Sequence, residues 1–162
     1  MTTKELEEKV AKLEERVRTL EATEAIQKFH LNYIYLYNNH RHEEMVACFA
    51  DDAVLDTGVF KTARGREEIA RIFRDDIPRV NNWATAHAVI QPMITVDGDR
   101  AKGLWIMYLI FYDVPTPKGP SVRMVQALHD CEYVKVDGEW KFSSVKFIRP
   151  WPARLECMPK PA

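Results

Sequence analysis

The sequence predicts an α+β protein in which N-terminal helices pack against a strongly curved antiparallel sheet that encloses a pocket. Apolar residues recur at helical spacing in the first half of the chain, and the period shortens to about two residues from residue 84 onward. Two Asp-Gly pairs, at 97–98 and 137–138, are typical of tight hairpin turns. The length of 162 residues, with 46% apolar and 29% charged residues, suits one globular domain.

Residues 1–22 are predicted to form a highly charged helix with one apolar stripe. The stripe advances in steps of four and three residues and consists of Leu6, Val10, Leu13, Val17 and Leu20. Such a segment is too short to form a stable coiled coil in isolation. We therefore expect it to pack against a neighbouring subunit or across its own domain, and we expect a homodimer or homotrimer.

Residues 23–149 form the predicted domain, which begins with helices. Helical spacing indicates a second helix at Glu24–Asn38, a short helix at Glu43–Ala50 and a third helix at Glu67–Asp76 that Pro78 should end. A short strand and turn around Gly58 separate the last two.

Four strands then follow, joined by the two Asp-Gly turns and a proline-rich loop at 115–120. Their predicted ranges are Ala84–Val96, Lys102–Asp113, Val122–Val136 and Trp140–Ile148. The tail, 150–162, contains four prolines and should run extended over the surface.

Composition excludes several kinds of function. The net charge of −1 argues against a nucleic-acid partner. Three widely spaced cysteines without a CxxC pair argue against a disulfide framework or a structural zinc site. No signal peptide or membrane-spanning apolar run is visible, so a cytoplasmic location is expected. His40 and His42 have no third histidine at useful spacing, so no metal site is expected, and no nucleotide-binding or serine-hydrolase motif is present.

Five segments of the chain carry a family resemblance: AIQKFHLNYIYLYN, CFADDAVLD, GREEI, QPMITVDGDRAKG and YVKVDGEWKF. In this order they resemble the SnoaL-like branch of the NTF2-like superfamily, over Glu24 to Ile148. Within that superfamily the chain looks most like lyases of the bile-acid 7α-dehydratase and scytalone dehydratase type. The resemblance implies an α+β cone, frequent dimers or trimers, and a pocket that works without a cofactor.

The resemblance also implies catalytic positions. His87 matches the histidine that acts as general acid/base inside the cone, and Tyr33 matches a tyrosine that can donate a proton to a leaving hydroxyl. Tyr37 lies one turn later on the same face. Asn38 stands where related enzymes have an aspartate that pairs with the histidine, so a different acid, with Asp56 as the nearest substitute, or a different chemistry is expected. Core packing for the tyrosines and histidine, and a strand-end role for Asp56, remain the alternatives.

Further polar candidates lie on the third strand and near the cone mouth. Arg123 and His129 share one strand face, where they could hold an anion and act as a second acid/base; Cys131 on that face is expected to be a core residue. Lys61 could be an electrostatic partner of a phenolate or carboxylate, or simply a solvated lysine.

Aromatic side chains cluster in the predicted sheet and tail and favour an apolar pocket for an aromatic or polycyclic small molecule. They are Trp83, Trp105, Tyr108, Phe111, Tyr112, Phe142, Phe147 and Trp151, of which Trp105 and Tyr108 are the predicted substrate contacts.

The leading functional hypothesis is a cofactor-independent lyase that breaks a C–O or a C–C bond in a hydrophobic, hydroxylated aromatic or steroid-like substrate. His87 would move the proton, and Tyr33 and Asn38 would hold the reacting oxygen. The alternatives are a non-catalytic ligand-binding protein, a partner subunit like the small chain of ring-hydroxylating dioxygenases, and an isomerase or polyketide cyclase.

Overall fold

The computed structural model of the chain describes residues 1–80, 85–114, 117, 119, 121–149 and 155–157. The predictions made for Trp83, for most of the 115–120 loop and for most of the 150–162 tail fall outside these residues.

The N-terminal half is dominated by one helix, α1, at Thr3–Asn38. It starts with a capping box, in which the Thr2 hydroxyl accepts from the Glu5 backbone N–H and the Glu5 carboxylate accepts from the Thr2 backbone N–H. The two separate helices predicted for 1–22 and Glu24–Asn38 are therefore continuous. The sequence between them, LEATEAI, contains neither glycine nor proline, so nothing breaks the helix there.

Three short helices follow: α2 at His42–Ala47, α3 at Arg66–Arg71 and α4 at Ile77–Val80. Helix α2 is shorter than predicted because Phe49 already begins a strand. Pro78 does not end the third helix. A π-helical turn, Ile72–Asp76, joins α3 to α4, and the Ile77 N–H bonds to the Ile72 carbonyl five residues back. This wider turn accommodates a proline, which lacks the N–H that a regular α-helix would need.

In the described residues, seven strands form one sheet: β1 Phe49–Asp56, β2 Ala63–Arg64, β3 Thr85–Asp97, β4 Arg100–Val114, β5 Ser121–Val136, β6 Glu139–Ile148 and β7 Leu155–Cys157. The strand order is β2-β1-β6-β5-β4-β3, and β7 from the tail pairs with β5. All pairs are antiparallel except β1 with β6. Both predicted hairpins are present, and Asp137 and Gly138 have the positive φ angles of a type I′ turn.

The core lies between the second half of α1 and the concave face of the sheet. Ile26, His30 and Tyr33 of α1 are buried there against strand residues that include Tyr133 and Phe142. On β4 the odd-numbered residues from 101 to 111 face this interior, so the even-numbered ones lie on the opposite face. The predicted α+β architecture with a curved sheet around a cavity is confirmed.

Candidate functional site

A cavity of about 500 Å³ opens between α1 and the concave face of the sheet. Aromatic and aliphatic side chains form most of its wall. Its polar or charged lining residues are Tyr33, Tyr37, Thr57, His87, Arg123, His129 and Arg149. No carboxylate is among the described residues that line it, so the only charges at the wall are two guanidinium groups.

His87 lies on β3, opposite Leu109 of β4, and is only 6% exposed. Burial lowers its pKa from 6.5 to about 4, so the imidazole is neutral at pH 7. The edge of the Tyr37 ring contacts it, with the ring centroids 4.1 Å apart. Its Nδ1 atom is buried and has no hydrogen-bond partner among the described residues. A buried ring nitrogen without a partner is costly for folding and is therefore typical of a functional position.

Asn38, the last residue of α1, binds the main chain of His87 rather than its imidazole. The amide Nδ2 donates to the His87 carbonyl oxygen at 2.9 Å, and the His87 N–H donates to Oδ1 at 2.8 Å. Both ends of the amide are therefore used, and Asn38 does not line the cavity. The structure contradicts the prediction that Asn38 holds a reacting oxygen. The residue fixes the strand position that carries His87.

Behind the cavity, His129 is the end of a buried hydrogen-bond chain. Its Nδ1 lies 3.1 Å from His30 Nε2, and His30 Nδ1 lies 2.7 Å from the Tyr133 hydroxyl. Trp105 Nε1–H donates to that same hydroxyl at 2.9 Å. Burial, and then the charge of His87, lowers the pKa of His129 to about 3; burial, and then the charge of His129, lowers that of His30.

This chain of hydrogen bonds couples the proton positions on the imidazoles of His30 and His129. If the Tyr133 hydroxyl donates to His30, then His30 Nε2 carries the hydrogen that bonds to His129 Nδ1, and His129 Nε2 is left protonated as a donor. If His30 donates to Tyr133 instead, His129 donates to His30 and its Nε2 becomes a bare acceptor. His129 can therefore present either an acid or a base to the cavity without becoming charged.

The other predicted site residues divide into two groups. Arg123 shares the inner face of β5 with His129 and lines the cavity, as do Tyr33 and Tyr37. Their roles in binding or catalysis stay predictions. Burial raises the pKa of Tyr37 to about 12 and also raises that of Tyr33 well above its usual value, so both hydroxyls keep their protons at neutral pH.

Four predicted residues lie elsewhere. Asp56 ends β1 and accepts from the Gly58 N–H, the strand-end role given as its alternative. Lys61 is exposed and does not line the cavity. Tyr108 has an even number on β4 and points away from the cavity, so the prediction of substrate contact is wrong. Trp105 faces inward, but it is buried against His30, with ring centroids 4.2 Å apart, and lies behind the cavity.

His30 and Tyr133 are not among the site residues predicted from the sequence. The signal for His30 was available, because it lies four residues after Ile26 and three before Tyr33 on the buried face of the helix. A histidine on such a face needs a polar partner. Nothing local indicates that the partners come from a strand about a hundred residues away.

The absence of a side chain at Gly103 leaves space for two rings of this hydrogen-bond chain. A Cβ atom on Gly103 of β4 would lie 2.9 Å from Tyr133 Cε2 and 3.2 Å from Trp105 Nε1, and both rings are fully buried. We expect Gly103→Ala to lower the free energy of unfolding by about 1–3 kcal/mol, because the rings have no space to move into. Chemical denaturation checks this. Gly98→Ala would create no crowding, since its Cβ position is open, but it strains a positive φ, so it is the comparison for backbone strain without a steric clash.

Two histidines of the buried hydrogen-bond chain, together with Cys131, form the one group of potential metal ligands found in the described part of the protein. One ligand atom each from His30, His129 and Cys131 lie within 4.8 Å of one another. Both nitrogens of His30 already have partners, and burial raises the pKa of the Cys131 thiol, so the thiolate that binds metals is disfavoured. Hydrogen bonding accounts for this arrangement without a metal ion. Cys131, fully buried, is a core residue as predicted.

The comparison with protein families decides the classification. The family model of the SnoaL-like domain matches residues 18–146. The chain belongs to the SnoaL-like domain family. The resemblance read from the sequence is thereby confirmed, and residues 1–17 precede the matched region. A search of curated proteins finds no match.

Solved structures share the fold at low sequence identity. A hexachlorocyclohexane dehydrochlorinase (LinA) of type 2 is 18% identical, with a TM-score of 0.72 over 86% of this chain and 90% of that one. A candidate scytalone dehydratase from Novosphingobium aromaticivorans is 22% identical, with a TM-score of 0.68 over 79% of this chain and 83% of that one. The type 3 LinA from Novosphingobium barchaimii is 19% identical, with a TM-score of 0.70 over 84% and 91%.

None of the helices in the described residues is long and apolar enough to cross a membrane.

Proposed function

We propose that this SnoaL-like protein is a cofactor-independent lyase that acts on a hydrophobic, hydroxylated aromatic or polycyclic molecule inside the cavity. One observation carries the proposal: His87 and His129, both buried and neutral, line the same largely apolar cavity. Elimination needs one group that takes a proton from carbon and another that protonates the leaving oxygen. The fold similarity to dehydratase and dehydrochlorinase structures is consistent with this chemistry.

In the proposed reaction, His87 accepts the C–H proton and the electron pair of that bond forms the new double bond. The hydroxyl on the adjacent carbon takes a proton from Tyr33 or His129 and leaves as water. Because burial lowers the pKa of His87 to about 4, its imidazolium readily gives up the proton, which returns to the group that protonated the leaving oxygen, Tyr33 or His129, and restores the starting state. No carboxylate among the described lining residues would stabilise that cation.

The charges at the wall indicate the kind of substrate. Arg123 and Arg149 place guanidinium groups at the wall, and no carboxylate is among the described lining residues. A phenolate, enolate or carboxylate oxygen on an otherwise apolar molecule fits this combination. A carbonyl oxygen in contact with a guanidinium group would acidify the neighbouring C–H bond, because the enolate that forms is stabilised, as elimination requires.

The test is turnover of a panel of hydroxylated aromatics and sterols, followed by mass spectrometry. Loss of water identifies C–O cleavage, and a shortened carbon skeleton identifies C–C cleavage. We expect His87→Ala to abolish turnover and Tyr33→Phe to reduce it, while His40→Asn, an exposed histidine outside the cavity whose positive φ asparagine tolerates, keeps the wild-type rate. Undiminished turnover in both cavity variants would contradict the assigned roles.

A ligand-binding protein without activity is the second candidate, favoured because none of the described lining residues offers His87 a carboxylate partner. Native mass spectrometry of the purified protein distinguishes the two. A retained ligand that survives prolonged incubation unchanged supports binding alone. A product of unchanged mass but altered structure indicates an isomerase or cyclase.

A further inference from the structure

The part of α1 from Thr3 to Glu21 is exposed along its whole length, although the apolar stripe runs through it. Its five members, Leu6, Val10, Leu13, Val17 and Leu20, are 46 to 67% exposed. The stripe therefore does not pack on its own domain, although residues 15–22 lie beside the two hairpin turns of the sheet. The buried side of the same helix, further along, is formed by residues such as Ile26, His30 and Tyr33. On a helical wheel with 3.6 residues per turn, these residues lie on roughly the opposite side of the helix from the stripe, so the stripe faces away from the domain.

We propose that this stripe pairs with the same stripe of a second copy of the chain to form a parallel, two-stranded coiled coil. In heptad notation Val10 and Val17 occupy a positions, and the three leucines occupy d positions. β-Branched residues at a combined with leucine at d are the combination that favours two parallel strands over three or four. The stripe therefore specifies the number of helices.

The flanking charges specify their direction. The e positions are all acidic, Glu7, Glu14 and Glu21, and the g positions Lys9 and Arg16 are basic. In a parallel pair, Lys9 of one helix faces Glu14 of the other, and Arg16 faces Glu21, in both directions. In an antiparallel pair, e would face e and g would face g, so every such contact would join like charges.

These charged groups are available for a partner. Within the part of the chain that the structure describes, none of the ion pairs involves the e or g residues of this segment. Two heptads are too few to fold as isolated peptides. Here the second half of α1 is held in the domain core, so the exposed half extends a helix that is already formed.

The apolar seam that the two stripes would form ends at Leu20. The next a and d positions are Glu24 and Gln27, and Glu24 is paired with Lys28 of its own helix at 2.7 Å. Polar residues at both positions stop the apolar contact before the helix meets the sheet. The coiled coil therefore ends close to the start of the domain, and the two domains lie at the same end of it.

Two experiments test the proposal on the full-length chain. Val10→Cys should form an interchain disulfide on mild oxidation, because equivalent a positions are adjacent in a parallel pair. Ala11→Cys, on the outer face, should not, and the native Cys48 and Cys131 are buried. Sedimentation equilibrium should show an even number of copies for the wild type, and Leu13→Asp should halve that number without unfolding the domain, since Leu13 is exposed.

The charges are tested separately. Lys9→Glu with Arg16→Glu should also halve the number of copies, and mixing that variant with Glu14→Lys/Glu21→Lys should restore it. Cross-linking of Val10→Cys no better than that of Ala11→Cys overturns the parallel arrangement. An unchanged number of copies for Leu13→Asp, or a monomeric or odd-numbered wild type, overturns the coiled coil.

Discussion

Acidification from pH 6.5 to pH 4.5 is expected to remove most of the stability of this protein. His30, His87 and His129 are buried, and burial is the main cause that lowers the pKa of each, to about 4 for His87 and about 3 for His129. In the unfolded chain all three titrate near 6.5. Below that pH the unfolded state binds protons that the folded state excludes, so stability falls as the pH falls.

The expected size follows from linkage. Each imidazole contributes up to about 1.4 kcal/mol of lost stability per pH unit between its unfolded and folded pKa, so His87 and His129 together contribute up to about 3 kcal/mol per unit, and His30 adds to this in the same direction. Over two pH units the loss is comparable with the whole stability of a typical domain, about 5–15 kcal/mol. Urea denaturation at a series of pH values measures it.

His87→Leu is the informative variant for this prediction. The His87 side chain contributes an unpartnered Nδ1, so an apolar replacement of similar size removes the cost of burying a titratable ring without leaving a new orphan. The slope of stability against pH should decrease by up to about 1.4 kcal/mol per unit. His40→Asn, at an exposed position, should leave the slope unchanged. Equal stability of the wild type at pH 6.5 and 4.5 would contradict the burial of neutral histidines.

Replacing Asn38 by aspartate is expected to destabilise the protein at pH 7 by about 2–4 kcal/mol. One carboxylate oxygen would still accept from the His87 N–H, but the other would face the His87 carbonyl oxygen that Nδ2 now contacts at 2.9 Å. Two acceptors without a hydrogen between them repel. Protonation of the carboxyl would restore a donor, so the folded state should raise its pKa above that of the unfolded chain.

The sign of the pH dependence distinguishes this explanation from a general loss of packing. The difference between Asn38→Asp and wild type should shrink as the pH falls through the raised pKa, because the protonated carboxyl can donate to the carbonyl. Asn38→Ala loses both bonds, and its difference from wild type should not depend on pH. An Asn38→Asp variant as stable as wild type at pH 7 would show that the side chain can turn away from the backbone, towards the imidazole.

Local patterns were sufficient to predict the order of elements. Period and turn residues located the four long strands to within two residues at each described end, and the DG pairs located both hairpins. The helix end predicted at Pro78 is wrong because a proline ends an α-helix only if the preceding turn is regular. The π-helical turn before it cannot be recognised from composition. The predicted boundary at residue 22 likewise lies where the apolar pattern changes, although the helix continues through this position.

The site was harder to predict because its polar contacts join distant segments. Alternation on β4 predicts that Trp105 and Tyr108 face opposite ways, but not which of them faces inward. An amide at position 38 was recognisable as a departure from the family. The hydrogen bond from this amide to a main chain 49 residues away depends on how α1 packs against β3, and no local sequence pattern predicts that packing. The same holds for the chain from Tyr133 through His30 to His129.

The continuity of α1 has a consequence for how two copies would be oriented. One rigid rod of roughly 54 Å joins the proposed pairing seam to the tyrosines of the cavity wall. The angle about the helix axis between seam and cavity is therefore set by the number of residues between Leu20 and Ile26, because each helical residue adds a fixed rotation. One inserted residue would turn the seam by about 100°, whereas seven would nearly restore it while moving the domains outward by about 10 Å. The spacing of an exposed stretch that touches no substrate thus determines the directions in which the two cavities open.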